Sequence, residues 1–183
     1  MKKTLALALF VCLACISNAK AENTYRPYIG ADFSFDKAKT NFIRPDYYGA
    51  YFNLGTTYNP YFGTEIFYQQ TDSRAKKLVD GTKYKTSFLA YGLDTIATYP
   101  VYSKFDVNLS LGVASYLFKE RIVGGPHNSD EGIGFRFGGG AVYHITNRLA
   151  ARFNARYIKF NRISNLDHAS EYTVGARYYF MGD

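Results

Sequence analysis

The chain has 183 residues, a formal net charge of +7 and an aromatic content of 18%, made of 18 Tyr and 15 Phe with no Trp. That length suits one domain, and the basic excess is too small and too scattered for a nucleic-acid surface. Beyond residue 21 no apolar run approaches the ~18 residues that a membrane helix needs, so any membrane crossing must use strands.

Lys2 and Lys3 precede an apolar run from Leu5 to Ile16, and Ala19-Lys20-Ala21 has the small-x-small form of a cleavage site. We read residues 1–21 as a secretory signal peptide and residues 22–183 as the mature domain. Cys12 and Cys15 leave with the signal, so the mature domain has no disulfide and no thiol chemistry. Removing Lys2, Lys3 and Lys20 leaves 19 basic residues against 15 acidic ones, a net +4 that suits an anionic lipid surface.

Eight segments follow with a two-residue apolar period, each roughly ten residues long, the length of a tilted membrane strand. They run over about Tyr25–Phe35, Tyr48–Thr57, Phe62–Thr71, Tyr84–Thr98, Lys104–Phe118, Gly132–Ile145, Leu149–Ile158 and a closing stretch through Phe180. The fifth alternates most cleanly, with Phe105, Val107, Leu109, Leu111 and Val113 on one face. The connections at Asn59-Pro60, Tyr99–Ser103 and Thr146–Arg148 are short. Those at Asp36–Tyr47, Asp72–Lys83, Lys119–Glu131 and Asn161–Ser170 are long and polar. Short turns at one end and long loops at the other are the habit of outer-membrane barrels, and aromatic girdles would account for the Tyr and Phe content.

A soluble barrel also alternates, with its apolar phase turned inward. The other phase decides between the two. It carries Gly30, Asp32 and Ser34, then Asp106, Asn108, Ser110 and Gly112, then Gly134, Arg136, Gly138 and Gly140, and then Arg152, Asn154 and Arg156. Glycine is poor on an exposed strand face but fits inside a narrow eight-stranded barrel. The sequence therefore predicts an all-β fold, an eight-stranded antiparallel up-and-down transmembrane β-barrel.

The closing strand, Thr173-Val174-Gly175-Ala176-Arg177-Tyr178-Tyr179-Phe180, resembles the C-terminal signal that outer-membrane barrels present to their assembly machinery. Gly175, Tyr178 and Phe180 carry that likeness. The stretch Gly138-Gly139-Gly140-Ala141-Val142-Tyr143-His144-Ile145-Thr146-Asn147-Arg148-Leu149-Ala150-Ala151-Arg152-Phe153 resembles the penultimate hairpin of the small OmpA-like and OmpX-like barrels. The resemblance implies a monomer in the outer membrane of a Gram-negative cell, a structural or adhesive role, and no shared catalytic residue.

Three groups of residues could carry chemistry. The first is charge in the inward phase: Glu65, Asp94 and Asp106 on strands three to five, Arg136, Arg152, Arg156 and Arg177 on strands six to eight, and Asp32 on strand one beside the bases. Buried charges persist only when paired, so these predict a salt-bridge network across the barrel axis, with Glu65 on Arg152 or Arg177. The network could fill the lumen or gate a narrow pore. The second group is the basic third connection, Arg74, Lys76, Lys77 and Lys83, with Lys85 at the next strand start. It would suit lipopolysaccharide phosphates or a host or environmental surface. The third is His127-Asn128-Ser129, similar to the His-x-Ser element of lipid A deacylases, with Glu120 and Glu131 at hand. It falls in a loop by this reading, which does not promise the hydrogen-bond reach that catalysis needs. Three scattered histidines without cysteine have no metal-site spacing, and no cofactor is expected.

Overall fold

The computed structural model describes residues 25–40, 46–73, 76–77, 83–122, 127–161 and 166–180. Residues 1–24, on which the expected signal peptide falls, Arg74 and Met181-Gly182-Asp183 lie outside the described residues. Eight long strands carry the fold: β1 Arg26–Thr40, β2 Asp46–Thr57, β3 Phe62–Ser73, β4 Lys83–Tyr102, β5 Phe105–Ile122, β6 His127–His144, β7 Leu149–Asn161 and β8 Leu166–Tyr179. Each pairs antiparallel with its chain neighbour, and β1 also pairs with β8, so the sheet closes and leaves no open edge. A two-residue ladder, Lys76–Lys77 against Lys83 and Tyr84, prolongs the β3–β4 hairpin.

Alternation sets the two faces. Phe33, Phe52, Leu109, Phe137, Phe153 and Val174 point outward and are exposed. Glu65, Arg152 and Arg177, in the other phase, are buried inside. A water-soluble barrel of this size would hide the first set. Here an apolar outer wall around a charged interior requires lipid outside.

The strands run longer than the sequence predicts. β4 has 20 residues, and β5 and β6 have 18 each, whereas a bilayer crossing uses about 9–11. Much of what reads as long polar loop, at Asp36–Tyr47, Lys119–Glu131 and Asn161–Ser170, is strand. Polarity misleads there because the pattern inverts. Above the lipid-facing band, Lys37, Lys119 and Lys159 are exposed, while Tyr47, Phe88, Tyr116, Phe118 and Phe160 are buried. The ladder of backbone bonds continues past the bilayer with the two faces exchanged, as in a small water-soluble barrel.

Two outcomes are expected from this wall. Leu111 sits in the middle of the outward run of β5 and is 65% exposed. Leu111→Arg should cost about 2–4 kcal/mol in urea unfolding from lipid vesicles, the penalty of a midplane cation. An unchanged midpoint would mean this face does not meet lipid. At the chain's end, Phe180 donates its backbone N–H to the Pro27 carbonyl at 2.9 Å and sets its ring edge-on to Tyr178. Phe180→Ala should reduce the heat-modifiable, membrane-inserted form on gels. Wild-type amounts of that form would locate the assembly signal elsewhere.

Candidate functional site

The closed barrel brings β3 and β4 to face β6, β7 and β8 across the axis, and their charged side chains meet there. Glu65 on β3 is fully buried. Its Oε2 lies 2.7 Å from Arg152 Nη1 and 3.1 Å from Arg177 Nη2, and Arg156 Nη2 approaches Oε1 at 4.0 Å. Tyr28 and Tyr51 donate their hydroxyls to the same carboxylate at 3.0 and 3.1 Å. Arg152 also donates Nε to both oxygens of Asp32, at 2.8 and 2.9 Å, and its Nη2 reaches Asp32 as well. Asp94 on β4 lies 3.4 Å from Arg136 Nε and 3.6 Å from Arg156 Nε. The contacts of Glu65 and Asp32 are charge-assisted hydrogen bonds, the strong class, whereas Asp94 is held by ion pairing alone.

Aromatic rings separate the guanidinium groups. Tyr51 and Phe67 stack at 5.0 Å with planes 10° apart. Arg136 sits 3.7 Å over the Phe67 ring, and Arg152 and Arg156 lie 5.5 and 5.3 Å from the Tyr51 ring. Arg177 sits 4.1 Å over Tyr28. Cations over ring faces are attracted by the ring quadrupole, so the rings share in neutralising four closely placed arginines. Glycine makes the room. A side chain at Gly112 would run into the Asp94 carboxylate, and one at Gly175 into Asp32. Gly175 thus has a packing reason to be glycine.

Two network members escape a reading of the sequence alone. Glu171 accepts from Arg136 Nη2 at 2.9 Å and Arg156 Nη1 at 2.8 Å. It is directly opposite Asp36, which is also buried and accepts from Gln69 Nε2 at 3.0 Å. Glu171 and Asp36 lie at the borders of segments that read as loops, beyond the part of each strand with the lipid-facing alternation. Parity counted back from Arg177 and Asp32 would have found both. Above this ionic layer an apolar layer fills the lumen: Phe88 lies 5.1 Å from Tyr47 and 5.2 Å from Phe118, and Tyr116 meets Phe160 edge-on at 4.9 Å.

Asp106 is the exception among the eight predicted charges. It faces inward but stands apart from the arginines and pairs with His144 Nε2 at 2.7 Å. It lies at the short-turn mouth, because Phe105 begins β5 there, one hairpin from the end of β6. The pair lines an open cup of about 650 Å³, with Arg26, Lys104 and Tyr179 on the same wall.

At the other end, Lys76 and Lys77 belong to the short ladder and Lys83 starts β4, their side chains lying outside the described residues with Arg74. Lys85 reaches Asp72 at 2.6 Å. Across β7 and β8, Lys159 donates to Asp167, and this bond holds the Asp167 carboxyl below its usual range and the Lys159 amine above its own. His127 and Ser129, read from sequence as loop, are strand residues of β6. Ser129 falls in the outward phase with Ile133 and Phe135 and is exposed.

The network has a direct test. Removing one partner of a buried ion pair strands the other charge and costs about 3–5 kcal/mol. Glu65→Ala should destabilise the barrel by that amount, read as urea midpoint in vesicles. Arg177 has Glu65 as its ion-pair partner, while Arg152 keeps Asp32 and Arg156 keeps Glu171. Glu65→Ala with Arg177→Ala should therefore regain part of the loss. A double variant no better than the sum of both singles would show that the pair is not coupled.

Comparisons with known proteins agree with this architecture. The sequence matches the family model of the outer membrane protein beta-barrel domain over residues 6–180. No curated protein matches it in sequence. Neisserial surface protein A superposes with a TM-score of 0.64 at 20% identity, over 84% of this chain and 97% of that one. Ail, the attachment invasion locus protein of Yersinia pestis, solved with the heparin analogue sucrose octasulfate, gives 0.58 at 15%, over 85% and 97%. A major outer membrane protein of Thermus thermophilus gives 0.66 at 12%, over 86% and 100%. At such identities the likeness is one of fold. With the closed eight-stranded wall and the family match over nearly its whole length, the chain belongs to the outer membrane protein beta-barrel family and resides in the outer membrane.

Proposed function

We propose that the protein serves envelope integrity or surface adhesion, with its outer end contacting lipopolysaccharide or a host or environmental surface. One observation carries this reading: beyond the open cup at the short-turn mouth, two layers of buried side chains cross the lumen. An ionic layer around Glu65 and an aromatic layer around Phe88 and Tyr116 occupy a barrel whose interior is only side-chain wide. Recognition then falls to the outer end, which in such barrels carries the long loops. The basic residues Arg74, Lys76, Lys77, Lys83 and Lys85 lie in and beside the second of those loops, the third connection of the chain. They would act as a polyanion contact, and Ail, with the same fold, is a protein solved with a heparin analogue. The same packing leaves little room for the alternative of a salt-bridge-gated pore. We take the working unit as a monomer inserted by the barrel assembly machinery.

A second reading, lipid A deacylation, is favoured by the place of Ser129. It follows His127 by two residues on β6 and lies in the outward phase, at the upper edge of the lipid-facing band. A nucleophile there would meet lipid rather than lumen.

Lipid A mass spectrometry of a deletion strain separates the two. The structural and adhesive reading expects the number of acyl chains to stay unchanged, while adherence of the cells to heparin-coated surfaces falls. A gained acyl chain that plasmid-borne wild type removes, and Ser129→Ala does not, would replace it with the enzyme.

A further inference from the structure

We propose that the outer face of β4, β5 and β6, just above the lipid-facing band, is a binding site for phosphate groups of a membrane lipid. This rests on the lipopolysaccharide reading above but assigns it to strand residues rather than to the third connection. Strand register carries the argument. Lys119 stands directly between Ser87 on β4 and Ser129 on β6. One row higher, Arg121 stands directly between Lys85 and His127. Lys85, Ser129, Lys119 and Arg121 are exposed, and all lie in the outward phase of their strands. Ordinary sheets avoid this. Like charges directly opposite one another destabilise a strand pair, yet Lys85 and Arg121 are such a pair.

Three acids are near. Asp72 takes Lys85 at 2.6 Å, Glu131 stands opposite Leu117, diagonal to Lys119, and the exposed Glu120 lies between Lys119 and Arg121 in the chain, in the other phase. Among the described residues, neither Lys119 nor Arg121 has an ion-pair partner. The row below changes character: Leu89 and Leu117 face each other there, and Tyr91, Val113, Ile133 and Phe135 continue the apolar wall. Lys119, flanked by two serines, therefore sits two residues above the apolar row, and Arg121 stands two residues higher, neither ion-paired among the described residues. A phosphate monoester offers up to two negative charges and several acceptor oxygens, which matches a grid made of donors. The occupant is a lipid phosphate because the grid opens sideways onto the membrane surface, where such groups are held at high local concentration.

The test uses the full mature chain, folded into phosphatidylcholine nanodiscs doped with bisphosphorylated lipid A or with its dephosphorylated form. Lipid A retained on the purified protein is measured by native mass spectrometry. Each cation near an anionic surface is worth about fivefold, so Lys119→Gln with Arg121→Gln should lower retention of the phosphorylated form about thirtyfold. Retention should then match that of dephosphorylated lipid A. Heat modifiability on gels checks that the variant is folded, and Lys119→Arg with Arg121→Lys should retain binding. A separate triple variant, Lys76→Gln, Lys77→Gln and Lys83→Gln, probes the third connection. Loss in the triple variant alone would overturn the strand site and leave the lipopolysaccharide reading standing. Equal retention of phosphorylated and dephosphorylated lipid A by wild type would overturn both. Competition by millimolar inorganic phosphate as strong as that by lipid A would make it a free-anion site and overturn the lipid assignment.

Discussion

An eight-stranded barrel leaves an interior only side-chain wide, and every group that enters it must find its partner there. Arg136, Arg152, Arg156 and Arg177 enter from β6, β7 and β8, and Asp32, Glu65, Asp94 and Glu171 meet them from β1, β3, β4 and β8. Desolvating such charges is costly, and only close, multiply bonded geometry offsets it. The rest of the barrel follows from this requirement. Glycines at 112 and 175 clear space for carboxylates, tyrosine hydroxyls complete the shell of Glu65, and rings stand between neighbouring guanidinium groups. A network drawn from six strands also locks their relative register, because a one-residue slip would turn each charge to the lipid side.

Above that layer the chain changes its solvent and its pattern with it. Between the apolar band and the loops, the outer face becomes charged and the inner face aromatic, with Phe88, Phe118, Tyr116 and Phe160 packed on one another. The wall that starts as a lipid-facing barrel ends as a short stretch built like a water-soluble one. That stretch has its own aromatic core, and the strands continue well past the apolar band.

Much of this was legible in the sequence, and the unread part has a physical cause. Two-residue periodicity in stretches such as Phe105–Val113 reports a strand only where the two faces meet different solvents, so the eight crossings and their lipid-facing residues were readable. Parity within those crossings placed Glu65, Asp94, Arg136, Arg152, Arg156 and Arg177 on the inner face. Where lipid ends, alternation loses its sign, and strand residues such as Ser129, Lys119 and Asp36 look like loop. Asp106 has the right parity and the wrong height. Its distance from the arginines depends on strand tilt and stagger, which one strand's sequence does not encode.

The central claim is that the lumen is closed by its own side chains at two levels. Single-channel recording of the purified, folded protein in planar bilayers tests this most directly. The account predicts a flat baseline with no discrete current steps across the voltages a bilayer tolerates. Reproducible unitary steps from protein of verified fold would contradict it, because no path for ions is compatible with the ionic layer around Glu65 and the aromatic layer above it.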